Sequence, residues 1–163
     1  MPSENRRTAV ESALRLYDIK TTDDFPPWLT FESLVQFLHE NMRPYEDKPR
    51  DIAKALEYAL SAAEGKGGFI LVAARDSEMV GAIVILKTGM SGYIPENLLV
   101  FVGVQPSERG HGIGGRLVNE ALDRCEGSMK LHVEYDNPAK RLYERIGFTT
   151  KYAEMRCSRE ERI

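Results

Sequence analysis

The sequence predicts an α/β protein: a mixed sheet with helices on its faces. Three observations carry that expectation. Six segments read as strands and four as amphipathic helices, in the order β-α-α-β-β-β-α-β-α-β. One strand segment, NLLVFVGV, is apolar almost throughout, as a strand covered on both faces reads. A helix also opens directly behind Gly110, Gly112, Gly114 and Gly115, in the stretch VGVQPSERGHGIGGRLVNEAL. Glycine lowers helix propensity by about 1 kcal/mol relative to alanine, so that local cost needs a purpose.

The elements follow in order. Residues 1–13 are polar and read as a flexible N-terminal segment; residues 14–163 read as one domain. LRLYDI (residues 14–19) alternates apolar and polar, and TTDDFPP breaks the pattern. From an N-cap at Thr30, Phe31, Leu34, Val35, Leu38 and Met42 fall at helical spacing. After the loop NMRPYEDKP, a second helix carries Ile52, Leu56, Ala59, Leu60 and Ala63 on one stripe and ends before Gly65. GFILVAAR and MVGAIVILK form a hairpin across Asp76, Ser77 and Glu78. The loop KTGMSGYIPE leads to NLLVFVGV, and the glycine-led helix buries Ile113, Leu117, Ala121, Leu122 and Cys125. MKLHVEY is the fifth strand. Asn137 and Pro138 read as N-cap and first position of a short helix carrying Ala139, Leu142, Tyr143 and Ile146. Gly147 ends that helix, and FTTKYAEMRC reads as a last strand.

Composition narrows the function classes. The net charge of -3, with both signs interspersed, offers no basic face for nucleic acid. No apolar run approaches the roughly 20 residues of a membrane span, and the N-terminus lacks the apolar core of a signal peptide. Cys125 and Cys157 make neither a disulfide framework nor a metal-ligand spacing, and the three histidines are scattered, so no metal is expected. A reduced, cytoplasmic chain is the default expectation.

A helix start presents unpaired N–H groups and the positive end of the helix dipole, so a phosphate can sit against amides cleared of side chains. Arg109 adds charge, and the stretch reads as a pyrophosphate cradle. A dinucleotide fingerprint places its glycines directly after the strand, whereas QPSER intervenes here after Val104. A P-loop needs Gly-Lys-Ser/Thr where this chain has Gly114, Gly115 and Arg116. A glycine-rich turn with no ligand is the bland alternative.

R-G-H-G-I-G resembles the Arg/Gln-x-x-Gly-x-Gly/Ala motif of the GNAT N-acetyltransferase superfamily, through Arg109, Gly112 and Gly114. Val102, Val104 and Pro106 are similar to the end of that family's fourth strand. LHVEYDN-PAKRLYERIGF resembles its fifth strand and following helix, with Leu131, Val133, Asn137, Ala139, Leu142, Tyr143, Gly147 and Phe148 on pattern. The resemblance implies a mostly antiparallel sheet with splayed fourth and fifth strands and helices on both faces. It also implies acetyl-CoA as co-substrate, its pantetheine lying in the gap along Val102, Gly103 and Val104. The pyrophosphate would lie on amides of Arg109, Gly110, His111, Gly112, Ile113, Gly114 and Gly115, with Asn137 also touching the cofactor. In many relatives the asparagine-to-tyrosine spacing is one residue longer, which leaves open whether Asn137 or Asp136 takes the asparagine's place.

The implied reaction is acetyl transfer to a primary amine, of a small molecule or a protein, by direct attack in a ternary complex. A CoA-binding sensor or regulatory subunit without turnover is the alternative, and homodimerisation stays open. Tyr143 matches the family's general acid; packing alone also explains it, since it shares an apolar stripe with Leu142 and Ile146. The amine needs a base, because a lysine-like amine is neutral at pH 7 only at a cost of about 4.6 kcal/mol. His132 holds the L-x-V slot where some N-terminal acetyltransferases carry glutamate, Glu134 shares its face, and Glu96 stands at the entrance of NLLVFVGV. A hydrogen-bonded strand histidine with no role is the competing explanation of His132. Trp28, Tyr45, Tyr93 and the acids Asp23, Asp24, Glu46, Asp47 and Glu96 are candidates for the acceptor wall.

Overall fold

The computed structural model describes residues 13–162, so the flexible segment expected at the N-terminus lies, but for Ala13, outside the described residues. The elements are β1 (Arg15–Ile19), α1 (Phe31–Asn41), α2 (Pro49–Ala59), β2 (Gly68–Arg75), β3 (Glu78–Lys87), β4 (Asn97–Val104), α3 (Ile113–Arg124), β5 (Met129–Leu131) and α4 (Ala139–Ile146). The sheet runs in chain order, β1 to β5. Its first three pairings are antiparallel and β4–β5 is parallel.

Local chemistry accounts for the boundaries. Thr30 and Ser33 cap α1 reciprocally, each side chain accepting from the other's backbone N–H at 3.1 Å. Pro49 occupies the first turn of α2, where its missing donor costs nothing. Asp76 and Ser77 both take positive φ (47° and 60°), the primed-turn geometry that matches the twist of a tight hairpin.

Alternation along the strands builds two cores, one on each face of the sheet. Leu34 and Leu38 of α1 and Ile52 and Leu56 of α2 pack on Ile70, Val72, Val84 and Phe101. Ile113, Leu117, Val118 and Ala121 of α3, with Tyr143 of α4, pack on Phe69, Leu71, Ile83, Ile85 and Leu99. Helices therefore cover both faces, as expected.

Two expected strands are corrected. The fifth stops at Leu131 rather than Tyr135, because its ladder with β4 ends at Leu99↔Leu131. FTTKYAEMRC forms no strand: residues 148–157 carry no regular structure, having no neighbour to pair with among the described residues.

The end of that ladder is where β4 changes phase. Ile85 pairs with Leu99 and Val84 with Phe101, so Val100 is an extra residue. Val100 and Phe101 consequently both face the α1/α2 core, whereas Val102 and Val104 face the α3/α4 core. Such a bulge bends and twists its strand. β4 runs on to Val104 while the chain after Leu131 leaves the sheet, and the two diverge.

Candidate active site

One end of the divergence is clamped. Asn97, 5% exposed, donates through Nδ2 to Glu126 O (2.7 Å) and Ser128 O (3.1 Å), and its N–H donates to Ser128 O. Glu96 Oε2 accepts from Ser128 N–H at 2.5 Å, and Oε1 from Gly92 N–H at 3.4 Å. These bonds, Ser128's first, hold the Glu96 carboxyl below the ordinary range. The carboxylate stands at the start of β4, at the closed end of the divergence. These hydrogen bonds make Glu96 part of the clamp.

Beyond the clamp, β4 presents free backbone. Gln105 N–H donates to Val80 O on the β3 side, so alternation turns the N–H and C=O of Val102 and Val104 toward the gap. Gly103 points its backbone the other way, pairs with Ala82 and lies under Leu38, Asn41 and Met42 of the α1 side. It shapes the strand without lining the gap.

The gap ends on the glycine cradle. Gly112 is the N-cap of α3 in the left-handed conformation (φ 79°), and Gly110 has φ 81°. A Cβ on either would meet nothing within 4 Å, so the space over both is open. No side chain caps α3, and its first backbone bond is Arg116 N–H to Gly112 O. The N–H groups of Ile113, Gly114 and Gly115 therefore face outward unpaired, which is the geometry an anion needs. Gly114 and Gly115 have a second use: their Cβ positions lie 3.5 and 3.4 Å from Leu142, which lets α3 and α4 approach. His111 is exposed on the lip. Arg109 is more engaged than its charge suggested, for Nε donates to Val104 O (3.1 Å) and Nη2 to Asn41 O (3.0 Å). It staples the cradle to β4 and to the end of α1.

Tyr143 projects from α4 into the core against which Val102 and Leu131 also pack, 6% exposed, its ring edge-on to Phe148 with centroids 5.8 Å apart. Its hydroxyl bonds to no described residue, yet Glu46 Oε2 is the sole fully buried, unpaired side-chain oxygen among them. The Tyr143 hydroxyl thus keeps an opening to the outside. Burial first, then the Glu134 carboxylate, pushes its pKa up to about 12. The phenol keeps its proton at neutral pH. A folded pKa raised above the unfolded value of 10.0 gives stability present below pH 10 and lost as pH climbs through 12. The unfolding free energy should therefore fall over that window by about 2–3 kcal/mol more in the wild type than in Tyr143→Phe.

The opposite side of the gap carries different chemistry. Leu131 and Val133 pack on the α3/α4 core, so the exposed His132 and Glu134 turn toward the α1–α2 side. There Tyr45, on the loop of residues 42–48, donates its hydroxyl to Asp136 O at 3.2 Å. Burial, then Asp136 and Glu134, raise the Tyr45 pKa; burial, then Asp51 and Glu134, raise that of Asp47. Of the acceptor-wall candidates, Tyr45, Glu46 and Asp47 thus lie on the loop that borders the gap. The others have different surroundings: Trp28 packs edge-on to Tyr17, Asp24 accepts from the Lys20 and Thr21 amides, and Tyr93 is 82% exposed.

Asn137 accepts from Ala139 N–H through Oδ1 (3.0 Å), starting α4, and its Nδ2 is unused by described residues. Asp136 gives its backbone carbonyl to Tyr45, and its exposed side chain stands beside that of Asn137. A cleft of about 510 Å³ lies over this turn, lined by Asn137, Lys140 and Arg141 among others. Sequence reasoning missed the Asn97 clamp and the Tyr45–Asp136 strap. A polar residue opening an apolar strand was the signal for the first; nothing local marks the second. Among the described residues no cluster could hold a metal ion, and no helix is long and apolar enough to cross a membrane.

A sheet that opens beyond a bulge onto an uncapped, glycine-led helix defines a class, and the profile described as "Acetyltransferase (GNAT) domain" matches residues 66–150. The chain belongs to the GNAT acetyltransferase family. It is 29% identical over 157 residues to a mycothiol acetyltransferase of Brachybacterium faecium, covering 91% of this chain and 45% of that protein. The chain thus spans less than half the length of that relative. It is also 29% identical over 102 residues to the 5-NmdU N-acetyltransferase of Pseudomonas phage PaMx11, covering 61% of this chain and 70% of that one. In fold it resembles aminoglycoside N-acetyltransferase AAC(6')-Iy in complex with CoA, with TM-score 0.65 and 14% identity over 91% and 96% of the two chains.

Proposed function

We propose that this protein is an N-acetyltransferase that moves the acetyl group of acetyl-CoA directly onto a primary amine in a ternary complex. The observation that carries the proposal is the gap itself, the Val102 backbone and the Val104 N–H on one wall leading to the unpaired amides of Ile113, Gly114 and Gly115. The residues fit the co-substrate. Open space over Gly110 and Gly112 accommodates a pyrophosphate, and Asn137 Nδ2 is available to an amide carbonyl of the pantetheine arm. Names of relatives point to amine acceptors, including 5-NmdU and aminoglycosides.

In this mechanism the gap separates two proton tasks. His132, on the α1–α2 side, takes a proton from the attacking amine. The Val102 N–H, aimed into the gap, stabilises the oxygen that becomes negative as the amine nitrogen bonds to the thioester carbon. Tyr143, on the α4 side, delivers its proton to sulfur as the carbon–sulfur bond breaks. A phenol near 12 donates to a thiolate of ordinary pKa near 8.5 against about 5 kcal/mol, so transfer must accompany bond breaking rather than precede it. A covalent acetyl intermediate on Cys125 is disfavoured, since burial pushes that thiol up to about 11. Two free cysteines suit the reducing cytoplasm, where we place the enzyme.

The test is release of free thiol from acetyl-CoA across a panel of amines: polyamines, aminoglycosides, modified nucleosides and peptide N-termini. No release with any of them, from a chain that binds acetyl-CoA, would sink the enzymatic proposal. His132→Ala should flatten the acidic limb of the kcat/KM profile while leaving acetyl-CoA affinity unchanged. An unaltered profile would remove His132 from the role of base.

A further inference from the structure

Among the described residues Asn97 is the one buried residue of polar or charged type. Burying an amide is unfavourable unless its groups are bonded. Asn97 spends both Nδ2 donors on one short segment, Glu126 O and Ser128 O. The opposite amide orientation would set Oδ1 against two carbonyl oxygens, so the partners fix the assignment. Residues 125–128 are the whole connection from α3 to β5. Glu96 grips the same connection through the Ser128 N–H. Gly127, at φ 80°, passes so close that a Cβ there would collide with the Glu96 carboxylate.

β5 needs this hold. It has three residues, pairs with β4 alone, and does so in parallel, the weaker arrangement per residue. Its last residue, Leu131, is followed directly by His132, which lies in no strand or helix. From Ser128 to His132 is about 13 Å of extended chain, so a change of register at the clamp carries the imidazole with it. A slip of one residue would exchange the facings of His132 and Val133, turning the imidazole into the α3/α4 core. We infer, on the reading of His132 as base, that Asn97 is a positioning residue for acetyl transfer. By pinning residues 126–128 it sets the register of β5 on β4 and keeps His132 on the α1–α2 side of the gap. Asn97 stands about 20 Å along β4 from Val104, where the gap meets the cradle, so it acts on the rate and not on the grip of the pyrophosphate.

Asn97→Leu nearly keeps the volume and removes both donors. With the amine that releases most thiol from acetyl-CoA, its single-turnover rate should fall about 10- to 100-fold, as misplacing a reacting group by an ångström does. Acetyl-CoA affinity by calorimetry should be nearly unchanged. In a His132→Ala background the same substitution should cost less than about twofold, because residues that act through one another are not additive. A readout free of any amine is the NMR spectrum of the unliganded protein. There the His132 ring signals should move by more than their line width in Asn97→Leu, while those of His39 and His111 stay in place. Gly127→Ala, which displaces the Glu96 carboxylate, should reproduce the whole pattern and serves where Asn97→Leu does not fold. No turnover with any amine, or His132→Ala without effect, overturns the role of His132 and this inference with it. If His132→Ala slows the reaction but the Asn97→Leu loss multiplies with it in full, or the His132 signals stay put, Asn97 is structural only and this inference alone falls.

Discussion

Tyr143→Phe is expected to slow the chemical step by about 10²–10³-fold, in the range of a positioned general acid, while acetyl-CoA affinity and fold hold. The substitution removes one oxygen that bonds to no described residue and keeps the ring that packs on Phe148. Packing alone would predict no kinetic effect, and a cofactor hydrogen bond would predict similar losses in affinity and rate. Single turnover at saturating acetyl-CoA separates these outcomes, because slow product release can mask slowed chemistry. A variant keeping half the wild-type single-turnover rate rules the acid role out. The raised pKa adds a second mark. With the phenol held near 12, the wild-type rate should show no alkaline decline from Tyr143 below about pH 11.

Gly112→Val should abolish detectable acetyl-CoA binding in a chain that still folds. Two effects act together. The position has φ 79°, where a β-branched residue costs of order 1–3 kcal/mol of strain. The open space its side chain would enter is the space over the amides of Ile113 and Gly114, where the pyrophosphate is proposed to lie. Because no atom beyond the adjoining residues lies within 4 Å of that Cβ, the loss should appear mainly in binding and only modestly in the thermal midpoint. Gly112→Ala, with a smaller side chain at the same φ, should bind more weakly than wild type but measurably. Calorimetric binding of acetyl-CoA by folded Gly112→Val at wild-type affinity would take the cradle out of the mechanism.

What the sequence disclosed follows from how local each signal is. The glycine-led helix start was legible because it is a matter of consecutive residues, and much of the order of elements because periodicity is local as well. The bulge at Val100 was not, since NLLVFVGV is apolar on both faces and hides a change of phase. Glu96 read as a candidate base by its place before a strand; its hydrogen bonds to Ser128 and Gly92 come from segments 32 and 4 residues away. Arg109 matched a phosphate-binding motif, yet one of its partners, Asn41 O, lies 68 residues back. FTTKYAEMRC has the pattern of a strand, but a strand also requires a neighbour, and no pattern supplies one.

In the proposed reaction the acetyl group passes straight from acetyl-CoA to the amine across the gap. Initial rates measured with both substrates varied test it most directly, paired with intact mass of the protein after incubation with acetyl-CoA alone. Reciprocal plots that intersect, and a protein mass unchanged by acetyl-CoA, are the predicted result. Parallel plots with a stoichiometric acetyl-protein would contradict it, placing a covalent step at a nucleophile of the protein.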